Sequence, residues 1–177
     1  MLNGKSILIT GGTGSFGNAF VSYVLKKYPR IKRLVIFSRD ENKQFEMQKI
    51  FSPLKYKCLR YFIGDVRDQK RLKIALNKID FVFHAAAMKH VPASEYNPSE
   101  AIKTNVDGAQ NMIEASVSEN VKKIIFLSTD KACSPINLYG ATKLCAEKLF
   151  LAAKKNSQDK DTKFIILRYG NVNASRG

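Results

Sequence analysis

Short apolar runs alternate with helix-length segments along the whole chain, a pattern typical of a parallel sheet wrapped by helices. Runs such as SILIT and KIIFLS are continuously apolar, as expected of strands buried on both faces. The pattern predicts six strands, at Ser6–Thr10, Leu34–Ser38, Leu59–Ile63, Phe81–Ala85, Lys123–Ser128 and Phe164–Arg168. It predicts helices at Phe16–Lys27, Glu41–Phe51, Asp68–Leu76, Pro98–Glu119 and Leu138–Lys155. The predicted fold class is α/β, a doubly wound parallel sheet of the Rossmann type.

The chain has 177 residues, enough for one domain and too few for two of ordinary size. Its composition, 45% hydrophobic and 25% charged, is that of a globular protein without long apolar segments. With no signal-peptide pattern, we expect a cytoplasmic protein with no membrane partner. The sequence stops after the sixth strand without a closing helix, so we expect residues 1–177 to lack a smaller C-terminal substrate-binding domain.

The formal charge is +15, and a basic surface can bind nucleic acid, anionic lipid or a phosphorylated substrate. The lysines are dispersed along the sequence and no nucleic-acid recognition motif accompanies them. We therefore predict a solvated basic face and no nucleic-acid partner. Three cysteines without a CxxC spacing predict reduced thiols and no metal site.

A glycine-rich segment, GGTGSFG, joins the first strand to the first helix. Glycines at this point allow a tight turn, a close approach of the backbone to a pyrophosphate, and close packing of helix on strand. The amides and dipole of the following helix favour the phosphates. The predicted cofactor contacts here are Gly11, Thr13, Gly14, Ser15, Phe16 and Gly17.

The end of the second strand predicts which dinucleotide is bound. NAD enzymes normally offer a carboxylate to the ribose 2′-hydroxyl, whereas a 2′-phosphate favours hydroxyl and guanidinium groups. The sequence places Ser38 and Arg39 at the strand tip, with Asp40 one residue beyond. We therefore predict NADP. Lys43 either adds positive charge to this site or is a solvated helix residue.

Two further segments follow the third and fourth strands. Asp65 and Val66 lie where a side chain can contact the adenine, although Asp65 can instead cap the next helix. The small residues Ala85, Ala86 and Ala87 allow the backbone to approach the cofactor, and Lys89 follows them. All of these are predicted cofactor contacts.

Tyr139 and Lys143 have the spacing Y-x-x-x-K, which on a helix puts both side chains on one face. A nearby ammonium favours the phenolate, so we expect Lys143 to lower the pKa of Tyr139 enough for it to accept a hydroxyl proton. The pair follows a strand that ends at Ser128 and Thr129, in a chain that has a dinucleotide loop. The sequence thus predicts oxidation of a hydroxyl group.

Segments covering nearly the whole chain resemble the extended short-chain dehydrogenase/reductases, and among these the inverting UDP-N-acetylglucosamine 4,6-dehydratases of bacterial glycan pathways such as that of pseudaminic acid. The segments are ILITGGTGSFG, SRDENKQFEM, YFIGDVRD, HAAAMKHVPASEYNP, KTNVDGAQN, STDKACSPINLYGATK and RYGNV.

The resemblance implies a reaction and catalytic roles. Tyr139 takes the O4 proton while NADP accepts the C4 hydride, Lys143 holds the nicotinamide ribose, and Thr129 hydrogen-bonds O4. In retaining relatives an Asp protonates the departing C6 hydroxyl and a following Glu removes the C5 proton; here these positions are Asp130 and Lys131. An amine at that place implies C5 inversion and a UDP-4-keto-6-deoxy-L-hexosamine product. Lys131 can alternatively contact the cofactor or a phosphate.

The resemblance also assigns sugar-nucleotide contacts to Lys89, Asn171 and Arg176, and a cofactor contact to Val172. The family usually reads GNVVGSRG where this chain has GNVNASRG, which puts the loop that carries Arg176 in question. It further implies a homo-oligomer, a hexamer or dimer. A 4-epimerase, a retaining dehydratase and a non-catalytic NADP-binding module remain alternatives, and we expect weak or no turnover by the 177-residue chain alone.

Overall fold

A computed structural model describes residues 1–156 and 162–171. Six parallel strands form one sheet in the order β3-β2-β1-β4-β5-β6. The predicted strands are confirmed, with ends that differ by no more than one residue. Their bounds are β1 Ser6–Thr10, β2 Arg33–Ser38, β3 Leu59–Ile63, β4 Phe81–His84, β5 Lys123–Leu127 and β6 Lys163–Leu167.

Seven α-helices lie in the described part of the chain: α1 Ser15–Lys27, α2 Glu41–Ile50, α3 Gln69–Leu76, α4 Val91–Tyr96, α5 Pro98–Ile102, α6 Gly108–Ser118 and α7 Leu138–Asn156. Helix α4 was not predicted, because six residues are too few to show a helical period. A π-helical turn at Lys103–Asp107 joins α5 to α6, within the segment predicted as one helix. A 3₁₀ turn at Asp130–Ala132 follows β5.

The sheet separates two apolar clusters, because successive strand residues point to opposite faces. One cluster contains Leu8, Val82 and Phe126 and packs against α3, α6 and α7. The other contains Ile7 and Ile9 and packs against α1 and α2. The doubly wound arrangement is therefore confirmed, and the crevice at the carboxyl ends of β1 and β4, where the strand order reverses, is the expected ligand site.

Lysines that appear dispersed along the sequence gather in space. Since all six strands run in the same direction, the residues that precede them meet at one edge of the sheet, opposite the crevice. Every strand has a Lys or Arg within three residues of its first position, so these basic residues lie together at one edge of the sheet.

Candidate active site

The glycine loop lies directly against the end of β4. Gly11 has a φ of +63°, which favours glycine, and a Cβ there would lie 3.0 Å from the Cα and nitrogen of Ala86. A Cβ at Gly17 would overlap the carbonyl oxygen of Gly12, so α1 packs closely on the loop. Gly14 is the N-cap of α1, and the first turn has no acidic residue. This geometry fits a pyrophosphate at the helix N-terminus.

Thr10 joins the ends of β1 and β4 through its hydroxyl group. The amides of Ala85 and Ala86 both donate to Thr10 Oγ1 at 3.1 Å, and Oγ1 lies 2.8 Å from His84 Nδ1. Because Thr10 Oγ1 already accepts two hydrogen bonds, its own O–H is assigned as the donor to His84 Nδ1. His84 is therefore neutral, and its Nδ1 is the acceptor. Burial, and then the charge of Lys143, lowers the pKa of His84 to about 3. The predicted cofactor contacts Ala85 and Ala86 are thus fixed at the crevice, and Ala87 follows them.

The tip of β2 brings a hydroxyl and a guanidinium together. Ser38 Oγ accepts a hydrogen bond of 3.0 Å from Gln44 Nε2. The Arg39 side chain is 61% exposed, with Nη1 3.6 Å from Asp65 Oδ2. Burial raises the pKa of Asp65, but hydrogen bonds and charge from Arg67, together with the charge of Arg39, lower it more, so the group is a carboxylate. The predicted contacts Ser38, Arg39 and Asp65 therefore lie in one area.

Two acidic residues nearby act as helix caps. Asp40 accepts from the backbone nitrogen of Lys43 at 2.9 Å and pairs with its ammonium at 3.2 Å, and these contacts lower the pKa of Asp40. Asp40 thus caps α2, and its contact with the cofactor stays a prediction. Asp68 caps α3, so the alternative that Asp65 is the cap is wrong. Val66 is buried in the core, and any cofactor contact there would come from its backbone.

Tyr139 and Lys143 lie on α7 but point to different partners. Burial raises the pKa of Tyr139, a hydrogen bond with Thr129 partly offsets this, and the nearby Tyr169 and Asp130 raise it further. Lys143 Nζ donates to the carbonyl oxygen of Leu127 at 2.6 Å. Lys143 is not among the groups that shift Tyr139, so the expected lowering of the tyrosine pKa is absent from this arrangement.

Lys143 is a buried cation whose environment weakens its hold on the proton. Its Nζ lies 4.0 Å from the centre of the Phe126 ring. Burial lowers its pKa to about 7, against the raising effect of Glu147 one helical turn away. A buried amine with a pKa near neutrality is characteristic of functional sites.

The 3₁₀ turn after β5 presents the amine of Lys131. Its Nζ donates to Asp130 Oδ1 at 3.3 Å and to Asn171 Oδ1 at 3.1 Å, and the side chain is 38% exposed. Thr129 Oγ1 donates to the same Asp130 oxygen at 3.0 Å. The Thr129 hydrogen bond, and then Lys131, lower the pKa of Asp130. Thr129, Asp130, Lys131 and Asn171 therefore form one connected group, which Tyr139 joins through Thr129, whereas Lys143 lies outside it.

Of the remaining predicted contact residues, some are described by the structure and two are not. Lys89 is exposed beyond β4. Thr13 and Phe16 lie at the start of α1, where the Thr13 carbonyl accepts from Asn18 Nδ2 at 3.1 Å. Val172 and Arg176 lie outside the described residues.

Sequence reasoning missed a buried carboxylate beneath the site. Glu147 accepts hydrogen bonds from Ser128 Oγ at 2.5 Å and from Arg168 Nε and Nη2 at 2.8 and 2.5 Å. Burial raises the pKa of Glu147, but Arg168, Ser128 and Lys143 lower it more. The signal was available, because Glu147 follows Lys143 by four residues and lies on the same helical face.

A second missed residue, Asn105, holds the chain beyond β4. Its Oδ1 accepts from the Met88 nitrogen at 2.8 Å, and its Nδ2 donates to the Met88 oxygen at 2.9 Å and to Thr142 Oγ1 at 3.0 Å. Thr142 in turn donates to the Tyr139 carbonyl at 2.8 Å. Asn105 lies in the π-helical turn, a feature often found at functional sites. No pattern in the sequence predicts this turn.

The fold, the glycine loop and the Tyr139–Lys143 pair define an extended short-chain dehydrogenase/reductase. The chain belongs to the family described as polysaccharide biosynthesis protein, whose model matches residues 7–177. No helix in the described parts of the chain has the length and apolarity needed to cross a membrane.

Two kinds of enzyme name occur among the curated relatives. An inverting UDP-N-acetylglucosamine 4,6-dehydratase from Campylobacter jejuni (strain 81-176) is 59% identical over 177 residues, covering 100% of this chain and 52% of that protein. A UDP-glucose 4-epimerase from Rickettsia massiliae is 50% identical over 175 residues, covering 98% of this chain and 50% of that protein. The chain thus spans about half the length of these relatives.

Solved structures agree with the fold. The X-ray structure of Pen from Bacillus thuringiensis matches with a TM-score of 0.95 at 45% identity, covering 100% of this chain and 54% of that chain. MoeE5, solved in complex with UDP-glucose and NAD, matches with a TM-score of 0.76 at 27% identity, covering 92% of this chain and 53% of that chain.

Proposed function

We propose that the chain is the cofactor-binding and catalytic part of an NADP-dependent UDP-N-acetylglucosamine 4,6-dehydratase that inverts C5 and yields a UDP-4-keto-6-deoxy-L-hexosamine. The observation that carries this proposal is the amine of Lys131, held between Asp130 and Asn171 in the same group as Thr129 and Tyr139. Relatives 58–59% identical are named inverting UDP-N-acetylglucosamine 4,6-dehydratases. Those relatives are about twice as long, so we propose that further residues complete the sugar-nucleotide pocket.

The glycine loop and the start of α1 would hold the pyrophosphate of NADP. Ser38 and Arg39 would bind the 2′-phosphate, and the ion pair with Asp65 supports the guanidinium there. The capping role of Asp40 favours NADP over NAD, because the carboxylate nearest the strand tip in sequence is already bound by the amide and the ammonium of Lys43. When bound, the nicotinamide accepts a hydride from C4 and returns it to C6.

Tyr139 would act as the base for the O4 proton. Its hydroxyl already shares a hydrogen bond with Thr129, so substrate O4 can join the same pair of oxygens. Burial keeps the phenol protonated, and the positive charge of an oxidised nicotinamide would favour the phenolate. The Lys143 ammonium, which now donates to the Leu127 carbonyl, would turn toward a bound ribose.

Asp130 and Lys131 would supply the acid and the base for loss of water. Moving one proton from Lys131 Nζ to Asp130 Oδ1, 3.3 Å away, turns an ion pair into a neutral amine and a carboxylic acid. In water such a transfer is unfavourable, and a substrate that excludes water lowers its cost. The amine then removes the C5 proton, and the acid protonates the departing C6 hydroxyl. The ketone at C4 makes the C5 proton acidic.

The test incubates the complete polypeptide with UDP-N-acetylglucosamine and NADP in D₂O and follows the product by proton NMR. A C6 methyl signal, deuterium at C5 and the L configuration are expected. Lys131→Met should slow C5 exchange more than 100-fold, on the order of 3 kcal/mol, while NADPH binding is kept. Lys148→Met, on the exposed side of α7, is the matched control. Undiminished C5-inverted product from Lys131→Glu would contradict the assignment of the base.

A 4-epimerase is the second candidate, because relatives 49–50% identical carry that name. Epimerisation leaves the C6 hydroxyl in place, so a product without a C6 methyl would favour it. A methyl product with unchanged C5 configuration would indicate a retaining dehydratase. NADPH binding without any product from the complete polypeptide would indicate a non-catalytic module. The homo-oligomer stays a prediction that sedimentation velocity can check.

A further inference from the structure

The edge of the sheet at which the strands begin carries a row of positive charges. We call this row the basic edge, and it consists of Lys5, Lys32, Arg33, Lys57, Lys78, Lys122, Lys123 and Lys163. Every one of the six strands contributes to it, within three residues of its first position. The proposed reaction assigns no role to these residues.

Backbone hydrogen bonds show that the row is continuous across the central and outer strands. The amide of Lys32 donates to the Lys5 carbonyl at 3.0 Å, the amide of Lys122 donates to the Asp80 carbonyl at 3.0 Å, and the amide of Lys163 donates to the Lys122 carbonyl at 2.9 Å. With neighbouring strands 4.7–4.9 Å apart, six strands make an edge about 24 Å wide. The charges therefore form one surface.

Few anions neutralise this surface. The five fully described connections that enter strands, residues 1–5, 28–32, 51–58, 77–80 and 119–122, contain seven Lys or Arg and two acidic residues, Asp80 and Glu119. Asp80 pairs with Lys122 at 3.1 Å and accepts from the Ser6 amide at 2.9 Å. Lys5 also lies close enough to Asp80 for its charge to lower the pKa of that carboxyl, whereas Lys32, Lys57 and Lys78 are exposed and form no ion pair in the described residues.

An apolar side chain projects from the same edge. Leu54, in the connection between α2 and β3, is 91% exposed. Beside it lies a cleft of about 450 Å³ whose walls include Tyr28, Tyr56, Lys32 and Lys57. Aromatic walls with ammonium groups suit a phosphate headgroup and the upper part of its glycerol chain.

We propose that the basic edge is a docking surface for an anionic lipid bilayer. Each Lys or Arg close to such a surface strengthens partitioning about fivefold, and a protruding apolar side chain adds the second contribution that stable attachment needs. The crevice lies at the opposite edge of the sheet, so docking leaves it open to substrate. Attachment of this kind is peripheral and needs no spanning helix.

The composition of the edge favours lipid over nucleic acid. Seven of its eight cations are lysines, and the one arginine, Arg33, donates its guanidinium to the carbonyls of Asn77 and Lys78 at 2.5 and 2.8 Å. Sequence-specific nucleic-acid sites favour guanidinium groups that bind base edges in pairs of hydrogen bonds.

The experiment measures cosedimentation of the 177-residue chain with vesicles of phosphatidylcholine alone or mixed with phosphatidylglycerol. The edge variant is Lys32→Glu/Lys57→Glu/Lys163→Glu, and the control is Lys70→Glu/Lys73→Glu/Lys148→Glu on the helices. Within the described residues, none of these six lysines forms an ion pair with an acidic side chain. Each Lys→Glu substitution lowers the formal charge by two, so each triple variant has a formal charge of +9 instead of +15. Circular dichroism checks that both variants are folded.

Binding to the phosphatidylglycerol vesicles, and not to phosphatidylcholine alone, is expected. The edge variant should bind at least 50-fold more weakly, the control less than fivefold more weakly, and about 0.5 M salt should release the wild-type chain. Leu54→Ser should weaken binding to the phosphatidylglycerol vesicles severalfold at low salt. Equal losses in the two triple variants, or no vesicle binding, would overturn the proposal. If the chain bound a single-stranded or duplex oligonucleotide more tightly than the phosphatidylglycerol vesicles at equal phosphate concentration, the lipid proposal would be wrong and the basic edge would be a nucleic-acid site.

Discussion

The carbonyl oxygen of Lys131 lies against Gly140, so closely that a Cβ atom at Gly140 would overlap it. Pro135 closes the other side, with its Cβ 3.0 Å from the same position. Gly140 follows Tyr139 directly in α7. The contact therefore sets the distance between the turn that carries the amine and the helix that carries the phenol.

Gly140→Ala should destabilise the chain and shift the 3₁₀ turn. The gain in helix propensity, about 0.5–1 kcal/mol, is smaller than the cost of moving backbone out of an overpacked contact, about 1–3 kcal/mol. Urea unfolding measures the loss. Gly170→Ala is the control, because a Cβ there would meet Asp130 Oδ2 at an ordinary 3.8 Å. Equal stability of the two variants would contradict the packing account.

Glu147→Gln should make Lys143 easier to deprotonate. The charge of Glu147 raises the pKa of Lys143, which burial has lowered from 10.5 to about 7. Between those values the unfolded chain binds more protons than the folded one, so stability rises with pH from about 7 to about 10. Without Glu147 that rise should begin at lower pH.

The titration of Lys143 can be followed by NMR of ¹³C-labelled lysine, with Lys143→Met used for assignment. Glu114→Gln, an exposed change on α6, should leave the titration as it is. An unchanged Lys143 signal in Glu147→Gln would mean that the carboxylate supports only Arg168 and Ser128.

His84 should make the fold sensitive to mild acid. Its folded pKa is lowered from 6.5 to about 3, so below pH 6.5 the unfolded chain takes up a proton that the folded chain excludes. Stability should fall by about 1.4 kcal/mol per pH unit, or about 2 kcal/mol from pH 6.5 to pH 5. Urea midpoints at the two pH values measure the slope.

His84→Phe keeps the ring stack with Phe126 and Phe150 and should flatten this slope. His90→Phe, at the exposed start of α4, should keep it. Identical slopes in the two variants would place the acid sensitivity in other groups.

Arg39→Ala should weaken NADPH binding at least tenfold and change NADH binding little. A guanidinium adds charge-assisted hydrogen bonds to a 2′-phosphate that NADH lacks. Nucleotide fluorescence measures both affinities, with Arg30→Ala at the opposite edge as the control. Equal losses for NADPH and NADH would remove the support for NADP.

Most of the fold could be predicted because the sheet is buried on both faces. Apolar runs located all six strands, although the outer strands β3 and β6 also carry exposed residues, and the helix-length gaps implied that the strands are parallel. The six-residue helix Val91–Tyr96 and the π-helical turn depend on tertiary contacts, such as the hydrogen bonds of Asn105, that leave no periodic pattern in sequence.

The candidate site was predictable where chemistry fixes spacing. The glycines and the Tyr139–Lys143 pair were found, and the structure brings Thr129, Asp130, Lys131 and Asn171 together. The direction of the Tyr139 pKa was not predictable, since it depends on burial and on where the Lys143 ammonium points. The basic edge was missed because parallel topology gathers residues that are far apart in sequence.

Asn105 binds both the nitrogen and the oxygen of Met88 with one carboxamide. A carboxamide carries the same donor and acceptor as a peptide group, so this side chain stands in for one residue of a neighbouring strand. The hydrogen-bonding pattern of the sheet is thus continued beyond His84 by a side chain from the π-helical turn. The π-helical turn thereby sets the direction in which the chain leaves β4 toward Lys89. A change in that turn would therefore move Lys89 relative to the crevice.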